Sequence, residues 1–154
     1  MSTSKRDNQC SAMGREERAS FVFSHIAIFV IFVWFGALKV FGLSPATPLV
    51  TALFDQTLSF LPLSPDLFVR LFGGFEVLIG ICFIVPRLQT LGLILLIPHM
   101  VTTILPMFLL PHVAWHGILT PTLEGQYIIK NVVIIALATS IYVDSKKKFI
   151  PTAK

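Results

Sequence analysis

The sequence predicts an all-α membrane protein, a four-transmembrane-helix antiparallel bundle with a short interfacial amphipathic helix between helices 1 and 2. Three observations lead there. Apolar and aromatic residues (AVILMFWYC) make up 55% of the 154 residues and charged residues only 13%, where a soluble domain carries about 25% charged residues to cover its surface. There are 14 Phe against 2 Tyr, so the aromatics fill apolar volume. Mean hydropathy is +0.81, and the apolar residues gather in four runs, each near the ~20 residues that cross ~30 Å of hydrocarbon.

Residues 1–20 are polar and mixed in charge, and read as a tail or short surface helix. They lack the apolar core and A-x-A site of a removable signal peptide. The first apolar run is Phe21 to Phe41. The second is Asp66 to Val85, closed by Pro86 and Arg87, and the third is Leu88 to Leu110. With only Pro86-Arg87 between them, these two form an antiparallel hairpin. The fourth runs from Gly125 to Val143. The expected division is a cytoplasmic N-terminal tail (1–20), a transmembrane domain (21–143) and a basic cytoplasmic tail (144–154).

Orientation follows from the cations. Lys5, Arg6, Arg15 and Arg18 precede the first run, Arg87 lies in the tight turn, and Lys146, Lys147, Lys148 and Lys154 follow the fourth. An even number of spans puts them all on one side, which the positive-inside rule makes cytoplasmic. The expected setting is a bacterial inner membrane with both termini inside. The formal net charge of +4 is explained by this topology, and no nucleic-acid partner is expected.

Two connections are then external. In residues 42–65, Thr47-Pro48 reads as a helix start. Val50, Leu53, Phe54, Thr57 and Leu61 fall at helical spacing, with Thr51, Asp55 and Ser59 as an opposite polar row. That pattern predicts an amphipathic helix in the outer interface. Residues 111–124 form a shorter connection that places Trp115 at headgroup depth.

Ionisable groups within hydrocarbon are costly and therefore candidates for function. Five qualify: Lys39, Arg70, Glu76, His99 and Lys130. Lys39 ends the first run, Arg70 begins the second and Lys130 begins the fourth, so the three cations lie toward the external side. Glu76 lies about 9 Å deeper than Arg70 at ~1.5 Å per residue. Arg70, Gly73, Glu76, Val77 and Gly80 span an arc of about 120° at ~100° per residue, which aims Arg70 and Glu76 at the bundle. Glu76 is expected to neutralise a lysine on a neighbouring helix. The surplus cations would suit an anion or a strong hydrogen-bond acceptor, such as a quinone carbonyl, a sulfur oxyanion or a lipid headgroup; the alternative is that each snorkels to the interface. Gln126, Lys130, Tyr127 and Asn131 make a polar strip on the fourth helix, which also fits plain interhelical hydrogen bonding. His99 follows Pro98 midway along the third helix, where it could pair with Glu76 or relay a proton. His112 and His116 have i, i+4 spacing, but Pro111 and Gly117 argue against a shared helix and no metal site is expected. Cys82 reads as packing, with a redox pair to Cys10 as the rival.

The run Trp34-Phe35-Gly36-Ala37-Leu38-Lys39-Val40-Phe41 resembles the W-x-G-x-x-K ending of the first helix in DoxX-like membrane proteins, nearest to the branch of reactive-chlorine resistance (YkgB-like) proteins. Ser44-Pro45, Glu76-Val77-Leu78-Ile79-Gly80 and Gly125-Gln126-Tyr127-Ile128-Ile129-Lys130-Asn131 match the same pattern in the same order. The resemblance implies a four-helix bundle associated with redox or oxidative-stress physiology. It singles out Trp34, Lys39, Glu76, Lys130 and Asn131, and implies a membrane subunit of a quinone-linked oxidoreductase. Together with the intramembrane set, the candidate ligand-binding residues are Trp34, Lys39, Arg70, Glu76, His99, Lys130 and Asn131. The expected cofactor is a quinone and the expected partners are the lipid bilayer, a redox partner protein and a second copy of the chain. A small-solute transporter or channel, and a membrane scaffold for soluble redox enzymes, are the competing functions. None of the residues forms a self-contained catalytic set.

Overall fold

The computed structural model describes residues 15–149. It is mostly helical, and four helical segments are long and apolar enough to cross a membrane: Ala19–Val40, Pro65–Ile84, Pro86–Leu109 and Leu123–Val143. The elements are α1 (Arg15–Val40), α2 (Thr47–Thr57), α3 (Pro65–Ile84), a 3-10 turn (Pro86–Leu88), α4 (Gln89–Ile104), two short helices α5 (Pro106–Leu109) and α6 (Pro111–Ala114), strands β1 (Trp115–Gly117) and β2 (Thr120–Pro121), and α7 (Leu123–Phe149). The helix α1 thus begins inside the stretch read from sequence as a tail, and Cys10 lies outside the described residues.

Local chemistry sets each boundary that matters for the site. At the end of α1, Gly42 takes φ +72°, a left-handed conformation that costs glycine little. The Gly42 N–H donates to Lys39 O at 3.1 Å and the Leu43 N–H to Leu38 O at 2.8 Å, a glycine-dependent stop that holds Lys39 in the final turn. At the start of α3, Ser64 Oγ accepts from the Leu67 N–H at 3.3 Å, with Pro65 at the first helical position, so this end is capped by its own sequence. Thr122 does the same for α7: its Oγ accepts from the Gly125 N–H at 3.1 Å and donates to Val113 O at 2.6 Å. A Cβ at Gly125 would strike the Ala114 carbonyl, so α7 starts tight against α6.

The helix α1 packs along α3, α3 against α4, α4 against α7, and α7 back on α1. Each of the four contributes two side chains to one apolar core: Ile28 and Phe32, Ile79 and Phe83, Leu96 and Met100, Ala138 and Ile141. The outward faces remain apolar, with Val30, Leu71, Ile94 and Val132 all exposed, as hydrocarbon contact requires.

The connection between α1 and α3 does contain a helix. It packs on α3 and α5 through buried Leu53 and Phe54. It ends at Thr57, so Ser59 and Leu61 fall outside it, and Leu61 is exposed. The connection before α7 is less loop-like than expected. It carries a small antiparallel hairpin with Trp115 opposite Pro121 and Gly117 opposite Thr120, turned by Ile118 and Leu119, the latter at φ 56°.

Candidate polar site within the spans

The site begins with two glycines. A Cβ at Gly36 would lie 2.6 Å from the Gly73 carbonyl oxygen, and a Cβ at Gly73 would lie 2.6 Å from both Gly36 O and Lys39 Cβ. The backbones of α1 and α3 therefore touch, an approach open only to residues without a side chain. One turn beyond Gly36, Lys39 meets Glu76, which is one turn beyond Gly73. The Lys39 Nζ donates to Glu76 Oε2 at 2.6 Å. Lys39 is 6% exposed, Glu76 5% and His99 4%, so the pair is withdrawn from solvent and lipid alike. A buried ion pair is costly to desolvate and persists only with close geometry, which the glycine contact supplies.

The second carboxylate oxygen, Glu76 Oε1, lies 3.6 Å from His99 Nε2. This is too long for a hydrogen bond but short enough to orient the imidazole. Three phenylalanines enclose that ring: Phe72 stacked at 5.1 Å between centroids, Phe32 edge-on at 5.3 Å and Phe75 tilted at 6.2 Å. Phe72 also lies 5.9 Å beneath the Lys39 ammonium. The remaining imidazole nitrogen, His99 Nδ1, is buried and has no hydrogen-bond partner among the described residues. Such an orphaned polar atom costs about 1–3 kcal/mol. The cluster thus holds one balanced ion pair and one unsatisfied hydrogen-bonding atom inside an aromatic enclosure.

The structure gathers three of the seven sequence candidates. Arg70 is exposed: the arc that ran from Arg70 to Glu76 put the two at its opposite edges, and Gly73, Glu76, Val77 and Gly80 meet α1 while Arg70 at the far edge is left exposed. Lys130 is exposed as well, its ammonium 5.2 Å from the Tyr127 ring centroid, and Gln126 beside it is also exposed. Asn131 is half-buried, and Trp34 is 65% exposed on the outward face of α1. The expected surplus of positive charge is not gathered at one site: Lys39 pairs with Glu76, while Arg70 and Lys130 are exposed. His112 and His116 also part company: α6 ends at Ala114, which leaves His116 on β1. Among the described residues no group of three or more His, Cys, Asp or Glu could hold a metal. Cys82 is buried in the packing.

Sequence reasoning missed the phenylalanine enclosure and a second polar pair. Phe72 and Phe75 stand four and one positions before Glu76, a spacing that places Phe72 on the same face. The missed pair joins His25 to Gln89 near the opposite end of α1. His25 Nδ1–H donates to Phe21 O at 2.7 Å, which leaves Nε2 to accept from Gln89 Nε2 at 2.6 Å. The apolar core around Ile28 and Leu96 separates this pair from the Glu76 cluster.

The arrangement defines a class of molecule, a helical membrane protein with a charged cluster sealed within its spans. Comparison with known proteins goes no further: no family model matches the chain, no curated protein matches it, and no solved structure matches it.

Proposed function

We propose that this chain is a multi-pass protein of a bacterial inner membrane that binds the headgroup of a quinone at His99 and Glu76. In this reading the four spans form an antiparallel bundle with both termini cytoplasmic, in line with the cations at 5–18, 87 and 146–154. The helix α2 lies in the outer interface with Leu53 and Phe54 inward. The motif resemblance to DoxX-like proteins supports a place in redox or oxidative-stress physiology, as a membrane subunit working with a redox partner protein.

One observation carries the binding reading. His99 Nδ1 is a buried polar atom without a hydrogen-bond partner among the described residues, enclosed by Phe32, Phe72 and Phe75. A ligand that fits must bring one hydrogen-bonding group on a flat apolar ring and reach the site through hydrocarbon. A quinone has that form, with π-faces that pack on phenylalanine rings. The balanced Lys39–Glu76 pair favours such a neutral ligand over a free anion, which would need an unpaired cation.

The test is extraction and quantification of quinone from detergent-purified protein, wild type beside His99→Phe. The expected result is quinone retained by wild type and lost from the variant, with bound phospholipid equal in both. Phospholipid alone in both proteins would overturn the reading.

A further inference from the structure

Within the cluster, the hydrogen-bonding directions are already assigned by charge, and they determine which oxidation state of a quinone fits. Glu76 Oε2 is occupied by the Lys39 ammonium at 2.6 Å, and Glu76 Oε1 faces His99 Nε2 at 3.6 Å. Lys39 and Glu76 balance each other, so a second proton on His99 would leave an uncompensated charge in a medium of low dielectric. The imidazole therefore carries one proton. On Nε2 that proton faces an anionic oxygen and is attracted to it; on Nδ1 it would leave a lone pair opposed to the carboxylate. The geometry favours the tautomer with its proton on Nε2, facing Glu76 Oε1, which leaves Nδ1 presenting a lone pair.

From this we infer that the site selects a hydroxyl donor, the reduced quinol, over the oxidised quinone. The inference rests on the reading that a quinone ring enters at His99, and it names the form that does so. A quinone carbonyl brings only lone pairs and leaves Nδ1 unsatisfied, whereas a quinol hydroxyl donates to it. The apolar phenylalanines around His99 do not distinguish the two rings, so the discrimination lies in this one hydrogen bond.

Lys39 makes the preference reversible by a single substitution. An ammonium only donates, so in Glu76→Gln it keeps the amide oxygen on its own side and turns the NH2 group toward His99. Nε2 must then accept, the imidazole proton moves to Nδ1, and the site becomes a donor suited to a carbonyl. A purely structural role for Glu76 would weaken both forms together.

The experiment measures binding of decylubiquinol and decylubiquinone, under anaerobic conditions, to the detergent-purified full chain by titration calorimetry. Wild type is expected to hold the quinol about tenfold tighter, the worth of one buried hydrogen bond. Glu76→Gln is expected to reverse the order, and His99→Phe to bind both forms too weakly to survive purification and without preference between them. Should Glu76→Gln fail to fold, the loss of preference in His99→Phe still decides the matter. Equal affinities, or a tighter quinone, in wild type would overturn the selectivity while leaving the site in place. Binding of neither form would overturn the reading beneath it as well.

Discussion

Lys39 and Lys130 are the same residue type, and each lies within a few turns of the end of a span, yet the structure treats them in opposite ways. Lys39 lies 6% exposed against a carboxylate and a phenylalanine ring. Lys130 is exposed, with its ammonium over the ring of Tyr127, one turn away on its own helix. The difference comes from what stands one turn earlier. Gly36 lets α1 meet α3 backbone to backbone and draws Lys39 into the contact. Before Lys130 stands Gln126, itself exposed, and α7 presents Ile129, Val132 and Val133 outward around it. A cation near a span end is committed to the interior by the packing of the helix that carries it; without that packing, its long stem can carry the charge to the interface.

The strongest way to break this comparison is to remove the counter-charge on the buried side. Glu76→Leu leaves the Lys39 ammonium buried and unpaired, and is expected to destabilise the protein by about 3–5 kcal/mol, read as a lowered unfolding temperature in detergent. The double substitution Lys39→Met/Glu76→Leu is expected to recover most of that loss, since a buried pair is often replaceable by apolar residues. A single variant as stable as the double would show that Lys39 escapes to the interface as Lys130 does.

The next effect tests the glycine contact itself. Gly73→Ala pushes its Cβ into Gly36 O and Lys39 Cβ, each 2.6 Å away, at an expected cost of about 1–3 kcal/mol. Its neighbour Gly74 has nothing within 4 Å of an added Cβ, so Gly74→Ala is expected to be neutral or to gain up to ~1 kcal/mol from helix propensity. Thermal unfolding of the two variants side by side sharpens the comparison, and equal behaviour would contradict the close approach.

The smallest effects belong to the exposed cations. Arg70→Leu and Lys130→Leu are expected to stay within about 0.5 kcal/mol of wild type, with quinol affinity unchanged. A loss of binding in either would return that cation to the site.

Four spans were legible because hydropathy over about 20 residues is a one-dimensional property. Their observed limits fall within a few residues of those read from the apolar runs. Glu76 and His99 were legible for a related reason: an ionisable group in hydrocarbon has few ways to be satisfied, and each could reach the other. The facing of Arg70 was not legible. A 120° arc is wide enough for one edge to meet a neighbouring helix and the other to miss it, and only the Gly36–Gly73 contact says which edge meets. The His25–Gln89 pair was hidden because its members are 64 positions apart, and neither stands out until the fold brings the start of α4 within hydrogen-bond reach of α1. The hairpin at Trp115–Pro121 rests on a two-residue turn of Ile118 and Leu119, which carries none of the glycine or asparagine that normally marks such turns.

The most direct test of the account observes His99 itself, by 15N NMR of histidine-labelled protein in detergent, with the His99 signals assigned from their absence in His99→Phe. An unprotonated Nδ1 and a protonated Nε2 are expected in the ligand-free protein, with a shift of the His99 Nδ1 signal on adding decylubiquinol. A His99 spectrum unchanged by saturating quinol would contradict a ligand at this atom, and would leave the Lys39–Glu76–His99 cluster as a device of helix packing alone.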